Sequence, residues 1–330
     1  MTTSASTTWP VSMETVRATR DRLARYLTPT PLRRYGALEE HVGRDVTIHV
    51  KHENHQPTNS FKIRNGLSFM TGLSREQLER GVVAASTGNH GQGIAYAGSQ
   101  LGAAVTICVP AGNNPEKNAA MRSYGAHVVE EGRDYDEAVQ VMLAIAREKG
   151  QTVAHSTNDP AVVAGAATMT LEILEREPEL DALILAVGGG SQAVGALTVA
   201  RALRPSLEVY GVQAAGASAI HDSWHAREPR TTARADTFAE GVATRQSYEL
   251  TFPTLLEGLA GFITVTDAEI AAAMRVILAA THNLVEGAGA MGLAGLVKLR
   301  DQLAGKRVGI VFCGGNIDTA TLRRVLNEEL

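Results

Sequence analysis

A chain of 330 residues with 44% hydrophobic and 20% charged content has room for two domains and the make-up of an ordinary globular protein. Its net charge of −4 argues against a general nucleic-acid surface, which needs concentrated Lys and Arg. Two cysteines, Cys108 and Cys313, each inside an apolar run, make no disulfide framework, and no segment approaches the roughly 18 apolar residues of a membrane span. No apolar core of signal-peptide length opens the chain, so a reducing, cytoplasmic setting is the expectation.

Residues 1–12 are rich in Ser and Thr and aperiodic, which predicts a loosely docked end. Short β-branched runs then mark strands at 46–52, 82–86, 105–109, 127–130, 183–187, 209–213, 262–265 and 308–312. Amphipathic stretches mark helices at 92–101, 134–149, 162–175 and 267–282, the last three opening at or just after Asp or Pro. Residues 218–234, rich in His, Arg and Thr, are expected to form a long surface excursion. Strands alternating with helices at this spacing give βαβ units, hence an α/β fold of doubly wound, mostly parallel sheets. The expected division is a small domain over 51–155 and a large one over 1–50 plus 156–330. The chain stops soon after the 308–312 run and a closing helix, so no appended regulatory domain is expected.

In open α/β sheets, ligands sit where strand-to-helix turns supply backbone N–H groups. Four glycine-rich turns suit that purpose: Ser86-Thr87-Gly88-Asn89-His90-Gly91, Gly188-Gly189-Gly190-Ser191-Gln192, Glu240-Gly241-Val242 and Cys313-Gly314-Gly315-Asn316. Three successive glycines at 188–190 allow close approach of an anion such as phosphate, or else merely permit a tight turn. The loop lacks the lysine of a P-loop and fails the dinucleotide pattern. Of six lysines, Lys62 stands out, flanked by Phe61 and Ile63 at a strand-to-helix junction. A lone lysine is ordinarily a solvated charge; a desolvated one has a lowered pKa and can form an imine with a carbonyl cofactor.

These residues resemble a known family. The run Lys51-His52-Glu53-Asn54 … Pro57-Thr58-Asn59-Ser60-Phe61-Lys62-Ile63-Arg64 is similar to the lysine motif of fold-type II, tryptophan synthase β-like, pyridoxal 5′-phosphate (PLP) enzymes, in the serine/threonine dehydratase and serine racemase branch. The turn at 86–93 resembles the substrate-carboxylate loop of those enzymes, 187–195 their phosphate loop, and 313–318 the segment facing the pyridine nitrogen. The motifs follow the family's order and span most of the chain.

The resemblance implies a two-domain fold and a set of roles. Lys62 carries the cofactor as a Schiff base and removes the α-proton. Asn89 hydrogen-bonds the ring 3′-oxygen, and Phe61 packs against the ring. Backbone N–H groups of Gly188, Gly189, Gly190 and Ser191 hold the phosphate, with Gly241 and Glu286 beside the ring. Ser86, Thr87, Gly88, Asn89 and His90 line the substrate site. Cys313 faces the pyridine nitrogen as a neutral partner, which makes the ring a weaker electron sink, or is simply a small buried hydrophobe.

The chain departs from the pattern at several positions. Ser191 replaces a fourth glycine and Gln192 follows it; Asn59 and Asn65 stand where small residues or glycine are common. Gln213 and Ala219 stand at or near positions where metal-binding members carry carboxylates, so no Mg²⁺ or Ca²⁺ site is expected. Glu286-Gly287 replaces a usual Glu-Pro. The implied activity is β-elimination of a β-hydroxy amino acid, by default L-threonine or L-serine, to a 2-oxo acid and ammonia. Racemisation, β-replacement, an uncommon hydroxy-amino acid substrate and a non-catalytic ligand-binding role are the alternatives. Thr87 keeps the hydroxyl a racemase uses opposite the lysine but adds a methyl group and stiffens χ1, which does not favour racemisation. A homodimer is the expected assembly.

Overall fold

Every strand run read from the sequence forms a strand, because parallel strands buried on both faces require continuous apolar runs. The computed structural model describes residues 9–330. In chain order the strands are β1 (Leu32–Arg34), β2 (Thr47–Lys51), β3 (Val82–Ala85), β4 (Val105–Val109), β5 (His127–Glu130), β6 (Thr152–Val153), β7 (Ala182–Ala186), β8 (Glu208–Ala214), β9 (Gly261–Val265) and β10 (Arg307–Val311). One sheet has the order β1-β2-β10-β7-β8-β9 and is parallel except for the β1–β2 pair. The other, β5-β4-β3-β6, is parallel throughout. An apolar cluster packs on this sheet and includes Val82, Ala84, Ile94 and Ile107, together with Leu23 and Val162.

The expected helices appear as Asn89–Leu101, Tyr135–Lys149, Pro160–Arg176 and Asp267–Thr281. Their starts are set by side-chain caps: Asp134 accepts from Glu137 N, Asp159 from Ala161 N, and Thr266 forms a capping box with Glu269.

Two expectations need correction. Of the loosely docked end, residues 1–8 lie outside the described residues, but Val11 is buried and Ser12 caps the Met13–Leu23 helix by accepting from Thr15 N. The surface excursion at 218–234 contains a helix, Ala219–Ala226, with Ala219, Ile220 and Ser223 buried. Its start is held from outside: Gln213 Oε1 accepts from the N–H groups of Ile220 and His221 at 3.1 and 2.9 Å. Only the stretch after Arg227 is irregular.

The Lys62–Met70 helix joins the two sheets, lying against Asn89–Leu101 on one side and Pro160–Arg176 on the other. The first contact depends on Gly93, where a Cβ would sit 2.5 Å from the carbonyl oxygen of Lys62. The second is fastened by charge. Arg64 donates to Glu53 at 2.8 and 2.9 Å and to Glu172 at 2.7 and 2.8 Å, and Lys51 Nζ lies 2.5 Å from Glu172. Thr30, Gln56 and Thr168 take up the remaining hydrogen-bonding positions. All four charged groups are buried. Burial by itself raises the Glu53 carboxyl, but Arg64 and Lys51 overcome it and hold the group down at about 2.

Removing one member of such a cluster strands the others. Glu172→Ala leaves Lys51 without a carboxylate partner and is expected to lower the unfolding free energy by about 3–5 kcal/mol. Urea denaturation of the two proteins measures this; a loss below about 1 kcal/mol, the range of exposed pairs, would contradict the account.

Candidate active site

A cleft of about 960 Å³ opens at the carboxyl ends of β3, β7 and β10, and every residue singled out from the sequence as a site residue lines it. The lysine turn is tied to the β10 exit by main-chain bonds. Phe61 N donates to Cys313 O at 3.0 Å, Ser60 bridges to Gly314, and Asn54 N donates to Phe312 O at 2.8 Å. Lys62 thereby projects into the cleft from the first turn of its helix. Its Nζ donates to Ser156 O at 3.2 Å and lies 5.3 Å from the Phe61 ring centroid. Burial lowers the amine to about 8. The buried Cys313 thiol is pushed well above its ordinary value by burial, with Glu286 adding to the effect, and stays neutral.

The turn after β3 is built by Ser86, whose Oγ accepts from Gly88 N at 3.3 Å and Gly91 N at 2.9 Å. This leaves the N–H groups of Asn89 and His90, at the start of a 13-residue helix, without acceptors among the described residues. The His90 ring is otherwise engaged: Nε2 meets Ala154 O at 3.0 Å, and burial together with nearby Lys62 pushes it down to about 3. A neutral ring that donates to Ala154 leaves the His90 main chain as the group able to meet a carboxylate. Thr87 lines the cleft, and its carbonyl accepts from Asn113 Nδ2 at 3.4 Å. Asn89 Nδ2 donates to Glu286 Oε1 at 2.6 Å, and its Oδ1 accepts from Asn316 at 2.7 Å. Burial raises the Glu286 carboxyl against the opposing pull of Lys117 and Asn89.

The turn after β7 runs into the Ser191–Leu203 helix with Gly190 at φ +94°, a left-handed conformation that suits glycine. A Cβ at Gly188 would lie 2.5 Å from Gly241 O, so the turn around Gly241 packs directly behind the loop. The N–H groups of Gly189, Gly190 and Ser191 have no acceptor among the described residues. The chain matches the family model described as "Pyridoxal-phosphate dependent enzyme" over residues 23–314.

The chain belongs to that family. It is similar to the L-threonine ammonia-lyase of Geobacter sulfurreducens, with 37% identity over 94% of this chain and 77% of that protein. It is similar to an L-threo-3-hydroxyaspartate ammonia-lyase of Pseudomonas, with 36% identity over 90% of this chain and 93% of that one. The solved structure of maize serine racemase superposes with a TM-score of 0.91 at 27% identity, covering 97% of this chain and 98% of that one. The chain is an enzyme, a lyase, with pyridoxal phosphate as its cofactor.

The residues present fit that cofactor. The free N–H groups of the glycine loop, at the positive end of a helix, match a phosphate ester. Gln192, buried beside them, has an Nε2 with no partner among the described residues and adds a candidate donor. Gln213, standing where a carboxylate ligand would be, spends its amide on the Ala219–Ala226 helix and on Thr244. Among the described residues no group of His, Cys, Asp and Glu is placed to hold a metal ion.

Sequence reasoning missed several lining groups. Lys117 pairs with Glu240, and Arg245 with Asp136, both across the cleft between the Pro115–Ser123 and Tyr135–Lys149 helices and the 240–246 segment. Asn316 was quoted within a motif but given no role, and Ser156 supplies only a carbonyl, for which no sequence signal exists.

A lysine held near 8 is half neutral at a pH where an ordinary lysine is charged. Uptake of pyridoxal phosphate by cofactor-free protein, followed by absorbance, is expected to quicken with rising pH and reach half its maximum near 8. A midpoint near 10.5, the ordinary lysine value, would contradict a desolvated amine.

Proposed function

We propose that the enzyme is an ammonia-lyase for a β-hydroxy amino acid with an uncharged side chain, L-threonine first and L-serine second. The observation that carries this reading is the single cleft holding a desolvated Lys62 amine between two turns of unpaired N–H groups. Relatives that act on threonine and on threo-3-hydroxyaspartate support it.

When bound, pyridoxal phosphate supplies an aldehyde to the lysine and then to the substrate amine, and a conjugated ring that spreads the electron pair left by a departing α-proton. The chain's residues supply the rest. The loop at Gly188, Gly189, Gly190 and Ser191 holds the phosphate, with Gly241 behind it. Phe61, Asn89 and Glu286 line the cleft, where Phe61 would pack against the ring and Asn89 would donate to its 3′-oxygen, with Glu286 alongside. Main-chain N–H groups of the 86–90 turn hold the substrate carboxylate, which fixes the α-carbon against Lys62. The neutral Lys62 amine takes the α-proton. Loss of the β-hydroxyl as water, followed by uptake of one water and release of ammonia, gives the 2-oxo acid. Cys313, buried and neutral, would face the ring nitrogen without stabilising its protonation, so the bound ring would be a weaker electron sink, which suits elimination.

The cleft's charges bear on the substrate side chain. Apart from Lys62, its cations are Lys117, Arg133 and Arg245, and each is already paired, with Glu240, Glu137 and Asp136 respectively. A second carboxylate on the substrate would have to displace one of these partners. This favours threonine over 3-hydroxyaspartate.

We also read the chain as two lobes, 51–155 and 1–50 plus 156–330, that flank the cleft. We take the enzyme to be a homodimer, two-fold dimers being the commonest soluble oligomers, and two buried free cysteines suit the cytoplasm. Among the described residues no helix is long and apolar enough to cross a membrane.

With pyridoxal phosphate bound, the protein is expected to release 2-oxobutanoate and ammonia from L-threonine, and Lys62→Ala to lower kcat by about 10³-fold or more. L-threo-3-hydroxyaspartate is expected to be used with a kcat/KM about two- to fivefold lower, the cost of displacing one largely exposed ion pair. Equal or better turnover of 3-hydroxyaspartate would overturn the substrate assignment, and undiminished turnover by Lys62→Ala the mechanism.

A further inference from the structure

Asn59 is one of the few non-glycine residues in a left-handed conformation, at φ +51°. Asparagine tolerates that region better than most residues, but glycine is freer there. The position is anchored twice to the β10 exit. Its carbonyl accepts from Gly315 N at 2.9 Å, and its side-chain Nδ2 donates to Asn316 Oδ1 at 3.4 Å. Asn316 Nδ2 in turn donates to Thr58 O at 2.8 Å and to Asn89 Oδ1 at 2.7 Å. Both N–H bonds of Asn316 are thus spent on acceptors and its oxygen on a donor. Asn89 Nδ2 then donates to Glu286 Oε1 at 2.6 Å.

Each amide in this chain can face only one way. Turning Asn89 over would set its NH₂ against the NH₂ of Asn316 and its oxygen against the Glu286 carboxylate. One N–H of Asn89 remains without an acceptor among the described residues, and Asn89 lines the cleft.

We propose that Asn59 is a positioning residue: through Asn316 it fixes the Asn89 amide so that its remaining N–H is presented to the bound cofactor. The donor sense runs from Asn59 to Asn316 to Asn89 and ends on Glu286, so each bond polarises the next. Asn59 lies outside the cleft lining, and Asn316 lines it with both amide N–H bonds already spent on protein acceptors. The inference rests on the reading of Asn89 as a cofactor ligand.

Asn59→Gly is the deciding variant, because glycine accepts the left-handed backbone without strain and removes only the side-chain donor. Three readings are taken on full-length protein: the dissociation constant for pyridoxal phosphate by equilibrium dialysis, the position of the visible absorption band of the loaded protein, and the melting temperature without cofactor. Asn59→Gly is expected to weaken cofactor binding by about threefold or more, the worth of one modest hydrogen bond, and to shift the band. The cofactor-free melting temperature should be unchanged or higher. Asn316→Ala and Asn316→Asp, the latter able only to accept, are expected to weaken binding by about tenfold or more. Asn89→Ala reports on the underlying reading. If it weakens binding while Asn59→Gly binds like the unaltered protein with an unmoved band, the relay is overturned and Asn89 remains a ligand. If Asn89→Ala also binds normally, both are overturned.

Discussion

The Lys62 amine is useful only if its helix cannot move, and that depends on a group of buried charges with no net charge. Lys51 comes from β2, Glu53 from the short turn that follows, Arg64 from the lysine helix and Glu172 from Pro160–Arg176. Taking four ions out of water is costly, and a well-packed apolar core would serve stability as well or better. What an apolar core would not supply is direction. The Arg64 guanidinium binds two carboxylates edge-on at once, which sets the rotation of the helix two residues beyond Lys62. With Gly93 allowing the neighbouring helix to lie against the Lys62 carbonyl, the lysine is fixed on both sides.

Within the cleft, electrostatics are divided by position. At the floor, burial disfavours charge: Lys62 is lowered to about 8, the His90 ring is held uncharged and the Cys313 thiol is raised. The starts of Asn89–Leu101 and Ser191–Leu203 instead offer unpaired main-chain N–H groups to an anion without bringing in a titratable group. At the rim, side-chain charges occur in pairs that span from the helices following β4 and β5 to the 240–246 segment. A floor that disfavours charge suits an amine that must be neutral to act as a base, and the paired rim charges leave no cation there without a carboxylate partner.

Much of this was legible because parallel sheets write themselves plainly. β3, β4 and β7 are buried on both faces and so read as apolar runs, and the turns after them carry glycines that no helix or strand would keep. β1 was not legible: Leu32-Arg33-Arg34 is half exposed, with no apolar pattern, and exists because β2 offers it an antiparallel edge. The two-residue β6 is too short to show any period. The Ala219–Ala226 helix was hidden for a similar reason, since its start is set by Gln213 rather than by a cap of its own. In the site, residues that act through local motifs were found, whereas Lys117, a surface-type charge in sequence, enters the cleft only through Glu240, 123 positions away. Asn59 could be seen as a departure, but its partner Asn316 lies 257 positions along the chain, and no local signal joins them.

The central claim is that one amine, on Lys62, forms the covalent link to the cofactor. Borohydride reduction of the cofactor-loaded protein, followed by peptide mapping, tests it directly. The account predicts a single pyridoxyl label, on Lys62; a label on Lys117 or any other lysine, or no label at all, would contradict it.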